Sequence, residues 1–346
     1  MANPVLTSSS RARPADPLLS IVVPIYNEVE AIPVFLEAIR KALVSLDARW
    51  ECVFVNDGSV DGSFDVSLRA SADYDFVKVV NLSRNFGKEA AMTAGLDLSA
   101  GDAVILMDVD LQDPPDLIPE FVARWRSGYD IVCGFRHDRG TDGRLKRATA
   151  GLFYALFNRF SDTAIPANVG DFRLLDRRVV ETLKRLPERS RFMKGLFAWV
   201  GFSSVCVPFE RPPRRVGRSK WNYWRLWNFA IDGIVSFSSV PIKIWSYIGG
   251  VFALLSLLYA LFVILRVLIM GLDVPGYASL VTVMLFSTGL QLLSLGVIGE
   301  YISRLFVETK RRPIYLLEGI YSGGVLAEPP PQLTVGSPTR ENAGAL

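Results

Sequence analysis

The chain has 346 residues, half of them apolar, and 38 basic against 35 acidic side chains leave a net charge of only +3. That balance argues against a nucleic-acid partner. A single histidine, His137, leaves no second imidazole for a His-based metal site or triad. Mean hydropathy is +0.27, high for a soluble protein, and the excess lies towards the C-terminus. Cys52, Cys133 and Cys206 show no metal-ligand spacing. Each sits in an apolar, strand-like run, so buried thiols in a reducing compartment are expected.

Met1 to Pro17 is rich in Ser, Pro, Ala and Arg and lacks the apolar centre of a signal peptide, so a disordered tail over 1–17 is expected. From Leu19 onwards, strands and helices alternate. Leu19 to Ile25 reads as a strand ended by Tyr26-Asn27-Glu28. Ala31 to Leu46 carries Ile32, Phe35, Leu36, Ile39 and Leu43 on one helical face. Glu51 to Val55 is a second strand, stopped by Asn56-Asp57-Gly58-Ser59; Phe64 to Ala72 is a helix and Phe76 to Leu82 a third strand. A helix over Lys88–Leu98, a strand over Ala103–Met107, a Pro-started helix over Pro115–Trp125 and a strand over Asp130–Gly134 complete the series. This order predicts an α/β domain over 18–215 with a mostly parallel sheet.

Ligands of such sheets bind beyond the carboxyl ends of the strands. The polar clusters Asn27-Glu28, Asn56-Asp57 and Asp108-Val109-Asp110 all fall there. Asp108 and Asp110 lie two apart, so their carboxylates converge on one face of an extended segment and repel unless a cation sits between them. Hard oxygen ligands suit Mg²⁺ or Mn²⁺, held jointly with substrate phosphates. Turn and helix-cap roles are the competing explanation for such acids. No G-x-G-x-x-G or P-loop motif is present, which disfavours ordinary dinucleotide and P-loop chemistry.

The last third changes character. Ile244–Leu265 and Val274–Ile298 carry no charged residue, and each is long enough to cross hydrocarbon. Arg211, Arg214, Arg215, Arg218, Lys220, Arg225 and Lys243 precede them, and Arg304, Lys310, Arg311 and Arg312 follow. The bias puts both flanks in the cytoplasm and predicts a transmembrane hairpin over 242–300, its helices at about 244–267 and 275–299. Trp224, Trp227, Ile231 and Val235 share a helical face, so 216–241 is expected to hold an amphipathic interfacial helix and loop. A cytoplasmic juxtamembrane segment is expected over 301–327, helical from Tyr301 to Pro313, and a disordered tail over 328–346.

Several segments together resemble the GT-A-fold family 2 glycosyltransferases, within them the polyisoprenyl-phosphate glycosyltransferases. They are Pro24-Ile25-Tyr26-Asn27-Glu28, Asn56-Asp57-Gly58-Ser59-Val60-Asp61-Gly62, Asn81 to Lys88, Asp108 to Pro115, Gly170 to Arg177 and Gly217 to Trp221. The likeness runs over about 19–318 and is nearest the bactoprenol glucosyltransferase branch. The Gln-x-x-Arg-Trp motif of processive relatives is missing, since Arg124-Trp125 follows Phe121. The resemblance therefore implies a single inverting transfer from a nucleotide sugar, UDP-glucose foremost, to a polyprenyl (undecaprenyl) phosphate at the cytoplasmic face of the membrane.

The resemblance also implies roles. Asp110 contacts the divalent cation, with Asp108 on the metal, ribose or diphosphate and Gln112 nearby. Pro24, Tyr26, Glu28, Asp57 and Lys88 belong to the nucleotide-sugar site. Arg136 and Arg147, with Lys146 as a rival, face the acceptor phosphate. Asp171 orients the acceptor or the sugar, a salt bridge to Arg173 being the plainer alternative. Asp110, Asp171 and Arg136 form the expected catalytic set. Arg218, Ser219 and Lys220 form a loop closing over the donor phosphates, and His137 is expected on a solvent-facing loop. The lipid bilayer and a homo-oligomer, a tetramer among the forms allowed, complete the expected partners. Another sugar (a modified arabinose, mannose or an N-acetylhexosamine), or a non-catalytic scaffold or translocator, stays open as the alternative.

Overall fold

Leu18–Ile25 (β1) is apolar at almost every position because both of its faces are covered. The computed structural model describes residues 12–44, 46–136, 169–210, 240–270 and 276–328. Within them, β1 pairs in parallel with β2 (Arg49–Asn56) on one side and β4 (Ala103–Leu106) on the other, and β2 pairs in parallel with β3 (Val77–Leu82). The helices α1 (Ala31–Leu43), α2 (Ser63–Asp73) and α3 (Lys88–Leu98) connect these strands. Pro24 is tolerated inside the sheet for a local reason. The β1–β4 pairing ends at Val22–Leu106, so the ring points where no ladder partner remains.

A 3₁₀ turn, Pro115–Leu117, leads into α4 (Ile118–Arg126) and β5 (Ile131–Arg136). Then β6 (Val169–Asp176) runs antiparallel between β4 and β5, followed by α5 (Arg177–Arg185), α6 (Met193–Trp199) and β7 (Ser204–Phe209), which pairs in parallel with β5. The final order is β7-β5-β6-β4-β1-β2-β3-β8-β9, and only β6 and β8 (Leu317–Ser322) run against the rest. One apolar layer joins one face of the sheet to α1, α2 and α4 through Phe35, Ile39, Phe121 and Trp125. A second joins the other face to α3, α5 and α6 through Met92, Leu96, Leu183 and Leu196.

Four findings depart from the sequence reading. First, the tail expected over 1–17 is anchored within its length. The Arg13 guanidinium is buried against Asp130 at 3.0 Å and Asp176 at 2.5 Å, stacked on Trp125. Second, Cys133 and Cys206 are not two separate buried thiols. Parallel register sets them opposite one another, joined as a disulfide, and Cys206 is exposed; only Cys52 is a buried free thiol. Third, the helix after the second apolar stretch is no separate element, because α8 (Tyr277–Lys310) runs through unbroken. Fourth, the segment after α8 re-enters the domain, as β8 pairs with β3 and β9 (Val325–Glu328) pairs with β8.

The paired helices α7 (Val240–Met270) and α8 are each long and apolar enough to cross a membrane, and their apolar side chains are exposed. The interfacial helix of 216–241 lies almost wholly outside the described residues, as do 1–11 and 329–346 of the two tails.

Candidate active site

The site is built on loops at the carboxyl ends of β1, β2, β3 and β4. Asn27 takes a left-handed backbone (φ 54°), and its side chain accepts the Val60 N–H at 2.9 Å while its own N–H donates to Ser59 Oγ. Glu28 N–H donates to Ser63 Oγ at 2.8 Å, and Asp61 accepts from Ser63 N–H and Val29 N–H. These bonds knit the loop carrying Tyr26 and Glu28 to the loop after β2. Tyr26 is exposed at the surface.

Asp57 is 3% exposed, and its two oxygens accept the N–H groups of Phe86 and Gly87 at 2.7 and 2.9 Å. Burial raises its pKa, and those amides and Arg84 pull it back down. Its visible work is to hold the loop that starts α3, while Asn56 closes the 56–59 turn by accepting Ser59 N–H. Gly58 is required here. It has φ 65°, and a Cβ would stand 2.4 Å from Asn85 N, so the two loops cross backbone to backbone. Arg84 stacks on Phe86 and donates to the Asn85 carbonyl.

Lys88, the first residue of α3, reaches across the strand ends. Its Nζ lies 2.6 Å from Asp108 and 2.7 Å from Asp171. The antiparallel insertion of β6 explains the meeting. Leu106 pairs with Arg173, so continuing that register two residues further sets Asp171 level with Asp108. Burial alone would lower the Lys88 pKa, but the two carboxylates outweigh it and raise it. Burial likewise opposes Asp171 ionisation, yet Lys88 and Lys194 hold it well below the usual carboxylate range. Asp171 also feels the Arg173 charge, which helps keep it ionised behind Lys88 and Lys194. Its close ion pair is with Lys88, while Arg173 donates to the Gly170 carbonyl and stacks on Phe197.

Asp110 is buried and accepts the Gln112 N–H at 3.1 Å around Leu111, a second left-handed residue (φ 54°). Two non-glycine residues in that sparsely populated region, each at a strand end of the site, mark backbone strain in the loops that carry Glu28 and Asp110. Arg136 ends β5 over Gly170 and lies 3.9 Å from Asp113.

Three residues escaped the sequence reading of site residues. Asp113 is 3% exposed, and burial together with Asp108 raises its pKa to about 7. Glu89 is also raised to about 7, by burial and then by Asp171, and it accepts the Met193 N–H at 3.2 Å. Lys194, on α6, faces Asp171 at 3.9 Å. Asp113 lies inside the Asp108–Pro115 motif and Glu89 adjoins Lys88, so proximity to a motif was an available signal for both. A lone lysine on a short helix carries none. Lys146, Arg147, Arg218, Ser219, Lys220 and His137 lie outside the described residues.

The donor set fits a cation shared with a ligand better than a closed protein cage. Among the described residues no group of three or more His, Cys, Asp or Glu side chains forms a metal cluster. Among the described residues, buried atoms with no hydrogen bond gather at this spot: Asp113 Oδ1, Asp171 Oδ1 and Arg136 Nε. Unsatisfied buried polar atoms are rare, and three around one acidic strand end mark a place for a polar ligand.

A sheet of this order with an acid pair beyond β4 is the GT-A arrangement, and the chain belongs to glycosyl transferase family 2, whose model matches residues 20–184; a second model, the GtrB C-terminal hairpin, matches 240–305. It is a glycosyltransferase. The chain is 51% identical over 88% of its length to an uncharacterized glycosyltransferase of Synechocystis, covering 95% of that protein. It is 48% identical to the bactoprenol glucosyl transferase of Shigella phage SfV, over 87% of this chain and 98% of the relative. A putative glycosyltransferase of Bacillus subtilis is 41% identical, over 87% and 91% respectively.

Proposed function

We propose that this enzyme transfers one glucose from UDP-glucose to undecaprenyl or a similar polyprenyl phosphate, with inversion, at the cytoplasmic face of the membrane. The observation that carries the reading is the cluster of Lys88, Asp108 and Asp171 at the strand ends, in a chain whose hairpin and domain resemble bactoprenol glucosyl transferases.

The chemical problem is charge. An acceptor phosphate monoester has a second pKa of about 6 and is mostly dianionic at pH 7, so it attacks without a strong base. It must nevertheless approach an anionic diphosphate. Asp108 and Asp110 would hold a divalent cation, Mg²⁺ or Mn²⁺, which supplies charge neutralisation of the leaving diphosphate. Lys88 brings a positive charge between Asp108 and Asp171, and in the occupied site it is placed to turn towards donor phosphate. Arg136 offers a guanidinium beside Asp113 for the acceptor phosphate. Asp171, kept ionised by Lys88 and Lys194, orients the reacting groups. Tyr26, Glu28 and Gln112 stand on the loops that would receive the nucleotide.

The test is direct. Purified protein in nanodiscs is incubated with labelled UDP-glucose, polyprenyl phosphate and Mg²⁺ or Mn²⁺, and the lipid product is analysed by mass and anomeric configuration. A glucosyl-phosphoryl lipid of inverted configuration is expected. No product from UDP-glucose but turnover with another nucleotide sugar would reject the sugar assignment, and no product from any donor would reject the transferase reading.

A further inference from the structure

A second cleft lies away from the acid cluster and shares no residue with it. Its volume is about 790 Å³, and it opens between the end of α5, the loop after it and the segment that follows α8. Its two sides differ in character. Leu186, Pro187, Ile314, Leu316 and Leu317 give an apolar wall, and Lys184, Arg185, Arg189 and Arg191 give a basic one, with Asp97 the one acid among the lining residues.

The bases are not equally available. Arg191 is committed to the carbonyls of Leu183, Leu186 and Glu188, and Lys184 to Glu181. Asp97 accepts the Tyr315 hydroxyl at 2.8 Å. The guanidinium groups of Arg185 and Arg189 have no carboxylate partner among the described residues. Arg189 is close enough to Arg191 that its charge helps depress the latter's pKa, behind the larger effect of burial. Two guanidinium groups without a carboxylate partner, lining one cleft beside apolar surface, suit an anion that itself carries an apolar part.

The position says where such an anion comes from. Pro313 to Leu317 follow α8 directly. That helix has 34 residues, and at 1.5 Å per residue it is about 50 Å long, comparable to a bilayer with its headgroups. Its exposed apolar side chains continue to Leu305, Phe306 and Val307, and Lys310 folds back over the Phe306 ring. The cleft therefore opens close to the level where headgroups lie. Glu308 accepts the N–H groups of Arg189 and Ser190 at 2.9 and 3.0 Å, tying the basic loop to the end of α8.

From this we infer that the cleft is a binding site for the phosphate headgroup of an acidic membrane phospholipid, with Arg185 and Arg189 as its anion-holding pair. The inference rests on the membrane part of the proposed function and not on the transfer reaction.

Full-length protein is placed in nanodiscs of phosphatidylcholine with or without phosphatidylglycerol, with no nucleotide sugar or polyprenyl phosphate present, and retained lipids are counted by native mass spectrometry. The native chain is expected to keep at least one phosphatidylglycerol in preference to phosphatidylcholine. Arg185→Gln with Arg189→Gln is expected to keep one fewer per chain and to need about tenfold more acidic lipid for equal retention. Arg185→Lys with Arg189→Lys should recover part of it, and Lys310→Gln with Arg311→Gln and Arg312→Gln should leave it. Equal retention by the Gln pair and the native chain would overturn the site, as would loss only in the 310–312 variant or protection by inorganic phosphate as strong as by lipid. A chain that never enters nanodiscs rejects the membrane reading itself. Entry without acidic-lipid preference rejects the cleft alone.

Discussion

At the scale of single residues, burial and the neighbouring cations set how readily Asp171, Glu89 and Asp113 ionise. Asp110→Asn is expected to abolish transfer while leaving the melting curve unchanged, because the proposed function gives Asp110 the divalent cation and an Asn side-chain oxygen can still accept the Gln112 N–H; retained turnover in a purified, folded variant would remove it from the mechanism. Lys88→Met leaves Asp108 and Asp171 without the cation they share. Transfer should fall about 10²-fold or more, as when one charge-stabilising donor is lost. Glu89 offers a test by pH. Its folded pKa is raised from 4.5 to about 7, so the stability it contributes is complete below about 4.5 and is lost as pH rises through about 7. Asp113 acts in the same direction from 3.8. Glu89→Gln should therefore flatten the fall in melting temperature between pH 5 and 8, measured side by side with the native chain. An unchanged slope would show that Glu89 is not the titrating group.

At the scale of elements, the loops at the carboxyl ends of the strands depend on one crossing. Gly58→Ala forces a Cβ into the Arg84–Asn85 backbone at a left-handed φ. It is expected to cost roughly 1–3 kcal/mol in denaturant unfolding and to raise the donor KM, because Asp57 would lose its grip on the Phe86 and Gly87 amides. This corner was legible in the sequence as Asn56-Asp57-Gly58-Ser59, since a polar cluster with glycine after an apolar run marks a strand end. So were β1 to β5 and α1 to α4, whose apolar runs and 3.6-residue faces are strong local signals. The insertion of β6 between β4 and β5 was not. Asp171 and Arg173 share a strand face by sequence spacing, but the close ion pair of Asp171 with Lys88, 83 residues away, comes from register. The Cys133–Cys206 disulfide was not legible for the same reason, as it depends on a parallel register formed across 73 residues. Arg13 read as tail because one arginine in a Ser- and Pro-rich run gives no hint of the buried acids that receive it.

At the scale of the whole molecule, the chain leaves the domain for the apolar hairpin and then comes back. Leu317–Ser322 has only a short apolar alternation broken by Gly319, and Val325–Glu328 is four residues long, so neither announced itself as a strand. Yet β8 covers what would be the open edge of β3, and Glu318 accepts the Asn81 amide at 2.8 Å, which in turn accepts from Asn56 at 2.7 Å. The relay runs from the post-hairpin segment to the strand end that bears Asp57. The hairpin is thus held at its exit by β8 and by Glu308 on the Arg189–Ser190 loop, whose continuation carries Met193 and Lys194 to Glu89 and Asp171. A chain ending at Arg312 would expose β3 as an unpaired edge and strip the buried Asn81 side chain of its carboxylate partner. It should still insert into membranes through α7 and α8, but unfold at lower denaturant and aggregate. A chain ending at Glu328 should restore the midpoint. Glu308→Ala separates the two tethers. It keeps β8 in place and frees the loop before α6, so limited proteolysis near Arg189 and Arg191 should quicken while the unfolding free energy falls by about 1–3 kcal/mol. If cleavage at that loop is no faster in Glu308→Ala than in the native chain, the helix end does not restrain α6, and the route from hairpin to Asp171 runs through β8 alone.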